Sequence, residues 1–135
     1  MPIRLQSNKT FHALEQAISI TRKRHTLIAG NISNLDTPGF RPKDIDFKAA
    51  MSKALEADRG TDLVRTNPGH IDPGTNSAHG NETFEDEYEY NGVNWVNIDN
   101  EMRKLTENKL MYKTAVETLL RKIAILKQVI REGGN

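Results

Sequence analysis

The sequence contains no cysteine, so disulfide bonds, cysteine-ligated zinc and cysteine nucleophiles are all excluded. No apolar run approaches the roughly 20 residues that cross a membrane as a helix, and the N-terminus has no apolar stretch of the secretory type. Aromatic residues make up only 6% and apolar residues only 36% of the 135-residue chain. This apolar share is low for a globular protein. It indicates that part of the chain is disordered or that partner chains complete the core.

The chain also lacks an excess of either charge, with 19 basic and 18 acidic residues. A nucleic-acid-binding protein usually carries a basic excess on one face. The one dense basic run, Arg22–Arg24, is interpreted as a solvated helix face. We therefore expect no nucleic-acid partner and no membrane insertion. Balanced charge suits self-association, because no large net repulsion opposes it.

Residue patterns typical of enzymes and metal sites are missing as well. No two of the four histidines have the i, i+4 spacing of a helical metal site. His70 and His79 lie near Asp72 and Glu82 in sequence, which allows adventitious metal binding without predicting a built site. No serine has the glycine-flanked setting of a hydrolase nucleophile, and no glycine-rich phosphate loop is present. The sequence predicts no enzyme activity, no metal and no cofactor.

The first strong pattern is helical and covers Phe11–Leu35, where apolar residues recur alternately three and four positions apart. Thr21 and His25 interrupt it, and either fix the helix register or lie at the edge of the stripe. Ser7 or Asn8 can cap the start, and the turn signal Pro38–Gly39 follows the end. The packing residues predicted for this helix are Phe11, Leu14, Ile18, Ile28 and Ile32.

A second helical pattern covers Asp99–Arg131, and only Lys109 interrupts it. At about 1.5 Å per residue this helix is on the order of 50 Å long. Its apolar stripe needs a partner surface, for which the N-terminal helix is the obvious candidate. The packing residues predicted here are Met102, Leu105, Tyr112, Val116, Leu119, Ile123, Leu126 and Ile130.

Further apolar residues widen this second stripe beyond what one partner helix covers: Leu110, Leu120, Ile125 and Val129. Two interpretations remain open. The surplus either packs between subunits, or it lies under the middle of the chain in an intramolecular bundle.

The middle of the chain, residues 41–92, is rich in turn-forming residues. A short helix is predicted near 46–55, and Phe84–Tyr90 alternates enough to form a strand although its acidic charge argues against burial. The expected fold is mainly α, with the N- and C-terminal helices packed as an antiparallel coiled-coil-like pair. The three expected parts are 1–40 with the first helix and its turn, the loop-rich 41–92 with room for a short hairpin, and 93–135 with the long C-terminal helix.

The segment Asn31–Phe40 closely resembles the N-terminal signature of bacterial flagellar rod and hook proteins. That signature places two asparagines around a short apolar residue at a helix end, followed by Thr-Pro-Gly and an aromatic residue. Gly30 and Ser33 replace residues that are usually alanine or asparagine. Thr66–Ile71 and Asn91–Met102 resemble elements of the proximal rod members of the family. The motif residues carried over are Asn31, Asn34, Thr37, Pro38 and Gly39.

The resemblance implies a structural subunit of the periplasmic rod in the flagellar basal body. It implies export of the unfolded chain through the flagellar type III apparatus and polymerisation through the terminal helices into the proximal part of the drive shaft. The implied partners are other copies of the chain, FlgC-like rod subunits, the junction protein FliE and components of the export gate. Phe47 and Met51 fit the family's Phe-x-x-x-apolar export element, although helix packing alone also explains them. The alternative is a cytosolic helical binding module such as a flagellar export chaperone, which would not need the Asn-x-x-Asn and Thr-Pro-Gly turn.

Overall fold

A computed structural model describes residues 2–59, 83–85 and 88–133 of the chain. The elements in chain order are α1 (Pro2–Ser33), β1 (Lys43–Ile45), α2 (Phe47–Arg59), β2 (Thr83–Glu85) and α3 (Ile98–Glu132). The predicted mainly helical fold is confirmed. The Thr66–Ile71 element and the histidines His70 and His79 lie outside the described residues.

Helices α1 and α3 pack side by side and run antiparallel, as predicted. Three contacts along their length pair Asn31 with Glu101, Thr21 with Asn108 and Phe11 with Lys122. Because residue numbers fall along α1 as they rise along α3, the two chain directions are opposite.

The ends of the helices follow from local sequence. The Asn97 side chain caps α3 by accepting the N–H groups of Asp99 (3.1 Å) and Asn100 (3.2 Å). At the other end the Gly133 N–H donates to the Val129 carbonyl at 2.9 Å. The helix thus extends one residue beyond the predicted Asp99–Arg131 at each end.

Helix α1 begins earlier than expected. It starts at Pro2 rather than near Ser7 or Asn8, so the predicted start was wrong. Proline suits the first turn of a helix, because the N–H group that it lacks would have no intrahelical partner there.

The two strands form a small antiparallel sheet in which Lys43 pairs with Glu85 and Ile45 pairs with Thr83. The sequence allowed a strand over Phe84–Tyr90. Within that stretch residues 84–85 lie in β2 and residues 88–90 are not in a strand. Strand β1 was not predicted, because three residues are too few to show an alternating pattern.

The apolar core is small. Ile20, Ile45 and Ala50 are buried, and Leu27, Phe47 and Met51 pack against them half-buried. Polar and charged residues are also buried in the described fold. They are Thr21, Asn31, Asp44, Asn94, Glu101, Lys104 and Asn108. Since buried polar groups need partners, these residues determine how the elements join.

Candidate functional site

The predicted packing residues of α1 all have at least part of their surface covered. Ile28 is fully buried, and the half-buried residues are Phe11, Leu14, Ile18 and Ile32. The apolar pattern of α1 therefore faces the rest of the protein along the helix.

Helix α3 divides differently. Of its predicted packing residues, Leu105, Val116, Leu119 and Ile123 are half-buried, whereas Met102, Tyr112, Leu126 and Ile130 are exposed. The residues that α3 buries are Glu101, Lys104, Asn108 and Ala115. Each of these lies one position before a position of the predicted stripe. Periodicity did not identify three of them, because charged and amide side chains are normally assigned to the solvent.

The surplus apolar residues of α3 are largely uncovered. Leu110 is 64% exposed, Leu120 60%, Ile125 61% and Val129 59%, and Ile130 of the predicted stripe is 73% exposed. We refer to Leu120, Ile125, Leu126, Val129 and Ile130 together as the apolar face of α3. A group of exposed apolar side chains of this size is typical of a surface that binds another protein.

A cluster of four charged side chains joins α1, β1 and α3. Arg24 donates to Asp44 through Nε (2.7 Å to Oδ1) and Nη2 (2.9 Å to Oδ2). The Nζ of Lys104 lies 3.3 Å from Oδ2 of Asp44 and 3.5 Å from Oε1 of Glu101. We call Arg24, Asp44, Glu101 and Lys104 the charged cluster. Its two cations and two anions balance, which reduces the cost of burying them.

The pKa of Asp44 reflects this setting. Burial alone would raise that pKa, but the hydrogen bond from Arg24, the hydrogen bond from the Ile45 N–H and the charges of Arg24 and Lys104 outweigh the burial. The pKa of Asp44 therefore lies below its ordinary value of 3.8, and the carboxylate is charged at neutral pH.

Asn31, the first motif asparagine, connects the charged cluster to β1. Its Nδ2 donates to the Lys43 carbonyl (2.8 Å) and to Oε2 of Glu101 (2.9 Å), while its Oδ1 accepts the Lys43 N–H at 3.0 Å. Only an amide side chain donates and accepts in this way, since an aspartate has no donor. This explains why an asparagine stands at position 31.

Asn94 forms a second polar junction, between the turn after α1 and the loop before α3. Its Nδ2 donates to three carbonyls of the turn, those of Leu35 (2.6 Å), Thr37 (3.1 Å) and Asn34 (3.2 Å). Its Oδ1 accepts the Val96 N–H at 2.9 Å. The side chain is fully buried, so one amide holds the turn against the loop.

The other motif residues shape that turn. Asn34 donates to the Gly30 carbonyl at 2.8 Å and accepts from the Thr37 hydroxyl at 3.0 Å. Pro38 is exposed in the turn. Gly39 has φ +72°, a conformation that favours glycine, and its N–H donates to the Val93 carbonyl at 3.0 Å.

The loop before α3 is organised by Asn91. Its Oδ1 accepts the N–H groups of Val93 and Asn94, and its Nδ2 donates to the Val96 carbonyl, each at 2.9 Å. The two segments that carried the family resemblance, Asn31–Phe40 and Asn91–Met102, therefore lie against each other. Within the second segment, sequence reasoning did not select Asn94 or Glu101 as functional residues.

Phe47 and Met51, the candidate export residues, lie on α2 and pack against the apolar core. They are not part of either polar junction.

Within the described ranges, no group of three or more histidine, aspartate and glutamate side chains is placed to hold a metal ion. No helix in this part of the chain is both long and apolar enough to cross a bilayer. The arrangement can join the terminal helices and present the apolar face of α3.

Several known proteins align with this chain along most of its length. The flagellar basal body rod protein FlgB of Proteus mirabilis (strain HI4320) is 32% identical over 131 residues, covering 92% of this chain and 95% of that protein. FlgB of Bacillus subtilis (strain 168) is 33% identical over 129 residues, covering 92% and 95%. FlgB of Escherichia coli (strain K12) is 29% identical over 130 residues, covering 88% and 91%.

No family model matches the chain. The relatives span species as different as Proteus mirabilis and Bacillus subtilis, and each aligns over nearly its whole length. They confirm the resemblance to flagellar rod proteins, and the chain belongs to the FlgB family of flagellar basal body rod proteins.

Proposed function

We propose that this chain is a structural subunit of the proximal rod, the part of the periplasmic drive shaft that lies nearest the inner membrane. The observation that carries the proposal is the exposed apolar face of α3. Exposing this face to water is unfavourable, because each Å² of apolar surface that a neighbour covers stabilises the assembly by about 25 cal/mol. Subunits that stack through their terminal helices would provide that cover.

The partners proposed are other copies of this chain, FlgC-like rod subunits and the junction protein FliE. The names of the relatives, flagellar basal body rod proteins, support a place among rod components. The polar junctions support a rigid role, since directional hydrogen bonds hold the two terminal helices in one arrangement.

Replacing Ile130 with aspartate tests this proposal. Ile130 is 73% exposed, so the change should leave the free chain folded while placing a charge where a neighbour packs. We expect the variant to be absent from purified basal bodies and the cells to be non-motile. Mass spectrometry of detergent-extracted basal bodies and a swimming assay measure these two outcomes.

The matched control is Gln128→Asp, which adds the same charge on the polar side of the same helical turn. This variant should assemble and swim like the wild type. Basal bodies that contain Ile130→Asp at wild-type levels would contradict assembly through this face. A wild-type chain that is abundant in the cytosol and missing from intact basal bodies would favour the export-chaperone alternative.

We also propose that the chain is exported unfolded and that Phe47 and Met51 form the recognition element. Replacing Phe47 with alanine should then lower secretion several-fold in a strain that cannot build the rod. The intracellular level of the variant should equal that of the wild type. Phe47 also packs on the core, so Leu27→Ala serves as a control that weakens the same core outside the element. If Phe47→Ala is secreted as well as Leu27→Ala, the element has no role in export.

A further inference from the structure

The polar residues that interrupt the two helical patterns lie together in the structure. Thr21 and His25 interrupt the α1 pattern and Lys109 interrupts the α3 pattern, and all three line one open groove between the helices. The groove has a volume of about 430 Å³, within the usual size range of binding pockets. Coiled-coil packing would favour apolar residues at these positions. Their shared location points to a binding role for the groove.

The groove combines apolar walls with a cationic rim. Leu105 and the ring of Tyr112 provide apolar surface on α3. The exposed Arg22 on α1 and the exposed Lys109 on α3 provide the positive charges. Long basic side chains add their aliphatic stems to such walls while the charges stay in water. Among the residues that the structure describes, no acidic side chain lines the groove. Within the described part of the chain, neither the Arg22 guanidinium nor the Lys109 ammonium forms an ion pair.

The chain carries a segment of complementary chemistry. Between positions 82 and 90 there are five acidic residues and no basic one, interleaved with Phe84, Tyr88 and Tyr90. Phe84 and Tyr90 are exposed, as is Glu89. We refer to the described residues 83–85 and 88–90 as the acidic aromatic segment. It holds two of the five carboxylates, of which Glu85 pairs with Arg41 at 3.3 Å and Glu89 is exposed.

Pairs of a cation and an aromatic ring already occur in this fold. The Lys104 ammonium lies 5.0 Å from the ring centroid of Tyr88, and the Arg41 guanidinium lies 4.6 Å from that of Trp95. A groove with basic residues on its rim can receive an aromatic ring in the same way, with a neighbouring carboxylate pairing the cation.

The segment does not occupy the groove of its own chain. Residues 83–85 pair with β1, and Tyr90 packs against Trp95 at 4.9 Å between ring centroids. None of the described residues of the segment lines the groove. In this arrangement the Phe84 ring and the Glu89 carboxylate stay exposed, and these are the groups offered to the groove of another copy.

We propose that the groove between α1 and α3 of one subunit binds the acidic aromatic segment of a second copy of this chain. This inference rests on the proposed function and specifies one of its subunit contacts. Groove and segment are different surfaces, so the contact is heterologous. Heterologous contacts repeat from copy to copy and build an open helical assembly when the ring does not close.

Charge reversal tests the contact in the full-length chain. Lys109→Glu and Glu89→Lys should each weaken self-association about tenfold in sedimentation velocity, because each places like charges at the contact. An equimolar mixture of the two variants should restore association to within about twofold of the wild type. In the mixture every groove can meet a segment of opposite charge. Lys48→Glu makes the same charge change on α2 and should associate like the wild type.

Several results would overturn the inference: Lys109→Glu associating like the wild type, the mixture remaining dissociated, or a wild-type chain that stays monomeric at all concentrations. If the charge variants associate normally and Ile130→Asp does not, the groove contact fails while the proposed rod function stands. Absence of the wild-type chain from basal bodies would instead remove the function.

A peptide of residues 83–90 provides a second measurement that does not depend on the variants folding. Titrated into the wild-type chain, it should shift the side-chain NMR signals of His25 and Tyr112. The same peptide carrying Glu89→Lys should bind at least several-fold more weakly. Unchanged His25 and Tyr112 signals at saturating peptide would also overturn the inference.

Discussion

Replacing Asp44 with alanine is expected to lower the free energy of unfolding by about 3–5 kcal/mol. Asp44 accepts two hydrogen bonds from Arg24 and forms an ion pair with Lys104. Without the carboxylate, two cations remain close together inside the protein with only Glu101 to balance them. Because small domains have little stability to lose, the variant should unfold at a much lower urea concentration than the wild type. Urea denaturation followed by circular dichroism measures the change.

The matched control is Glu85→Ala, which removes an ion pair of the same type on the surface. The Glu85 and Arg41 side chains are more than half exposed and 3.3 Å apart, and such pairs contribute about 0–1 kcal/mol. Equal losses in the two variants would mean that the charged cluster contributes no more than a surface pair.

The same experiment has a pH dependence with a defined sign. The pKa of Asp44 in the folded chain lies below the ordinary 3.8, so its contribution is fully present above pH 3.8. The contribution is lost as the pH falls from 3.8 through the lower folded pKa, because the unfolded chain takes up the proton first. The Asp44→Ala variant should therefore lose less stability than the wild type over this acidic range.

Asn94→Ala is expected to lower the free energy of unfolding by about 2–4 kcal/mol. The change removes a side chain that donates to three carbonyls of the turn and accepts the Val96 N–H. Buried groups left without partners cost about 1–3 kcal/mol each, and neighbouring losses are not additive. Hydrogen exchange should also show the turn before Gly39 opening more often.

Asn97→Ala provides the comparison, since Asn97 lies in the same segment but only caps α3. Loss of such a cap costs about 1 kcal/mol. Asn94→Asp keeps the acceptor and loses the donors, so it should be at least as destabilising as the alanine variant. If Asn94→Asp is as stable as the wild type, donation to the turn does not hold the junction.

The long helices could be predicted because their patterns extend over many turns. The Asp99–Arg131 pattern located α3 to within one residue at each end. The same pattern did not show which residues α3 would bury. A pattern of apolar residues cannot distinguish the buried Lys104 from a lysine exposed to solvent. Its partner Asp44 lies far away in the chain, so neighbouring residues give no indication of the pair.

The residues of the site were accessible from sequence to different degrees. Asn31 and Gly39 could be identified because the resemblance marked them, and the structure supplies the reason in their hydrogen bonds and backbone conformation. Asn94 lies within a marked segment, but its importance depends on the position of a turn almost 60 residues earlier. Local patterns carry no information about contacts of that kind.

The polar junctions have a mechanical consequence. Apolar contacts have no preferred direction, whereas a hydrogen bond such as that between Asn31 and Glu101 breaks when its atoms move apart by about 1 Å. Asn31 bonds α1 to α3, and Asn94 bonds the turn after α1 to the loop before α3. Both therefore resist sliding of α1 along α3 near one end of the helix pair. If neighbouring subunits bind the apolar face of α3 as proposed, a load applied there reaches α1 through the hydrogen bonds at the other end of the helix pair.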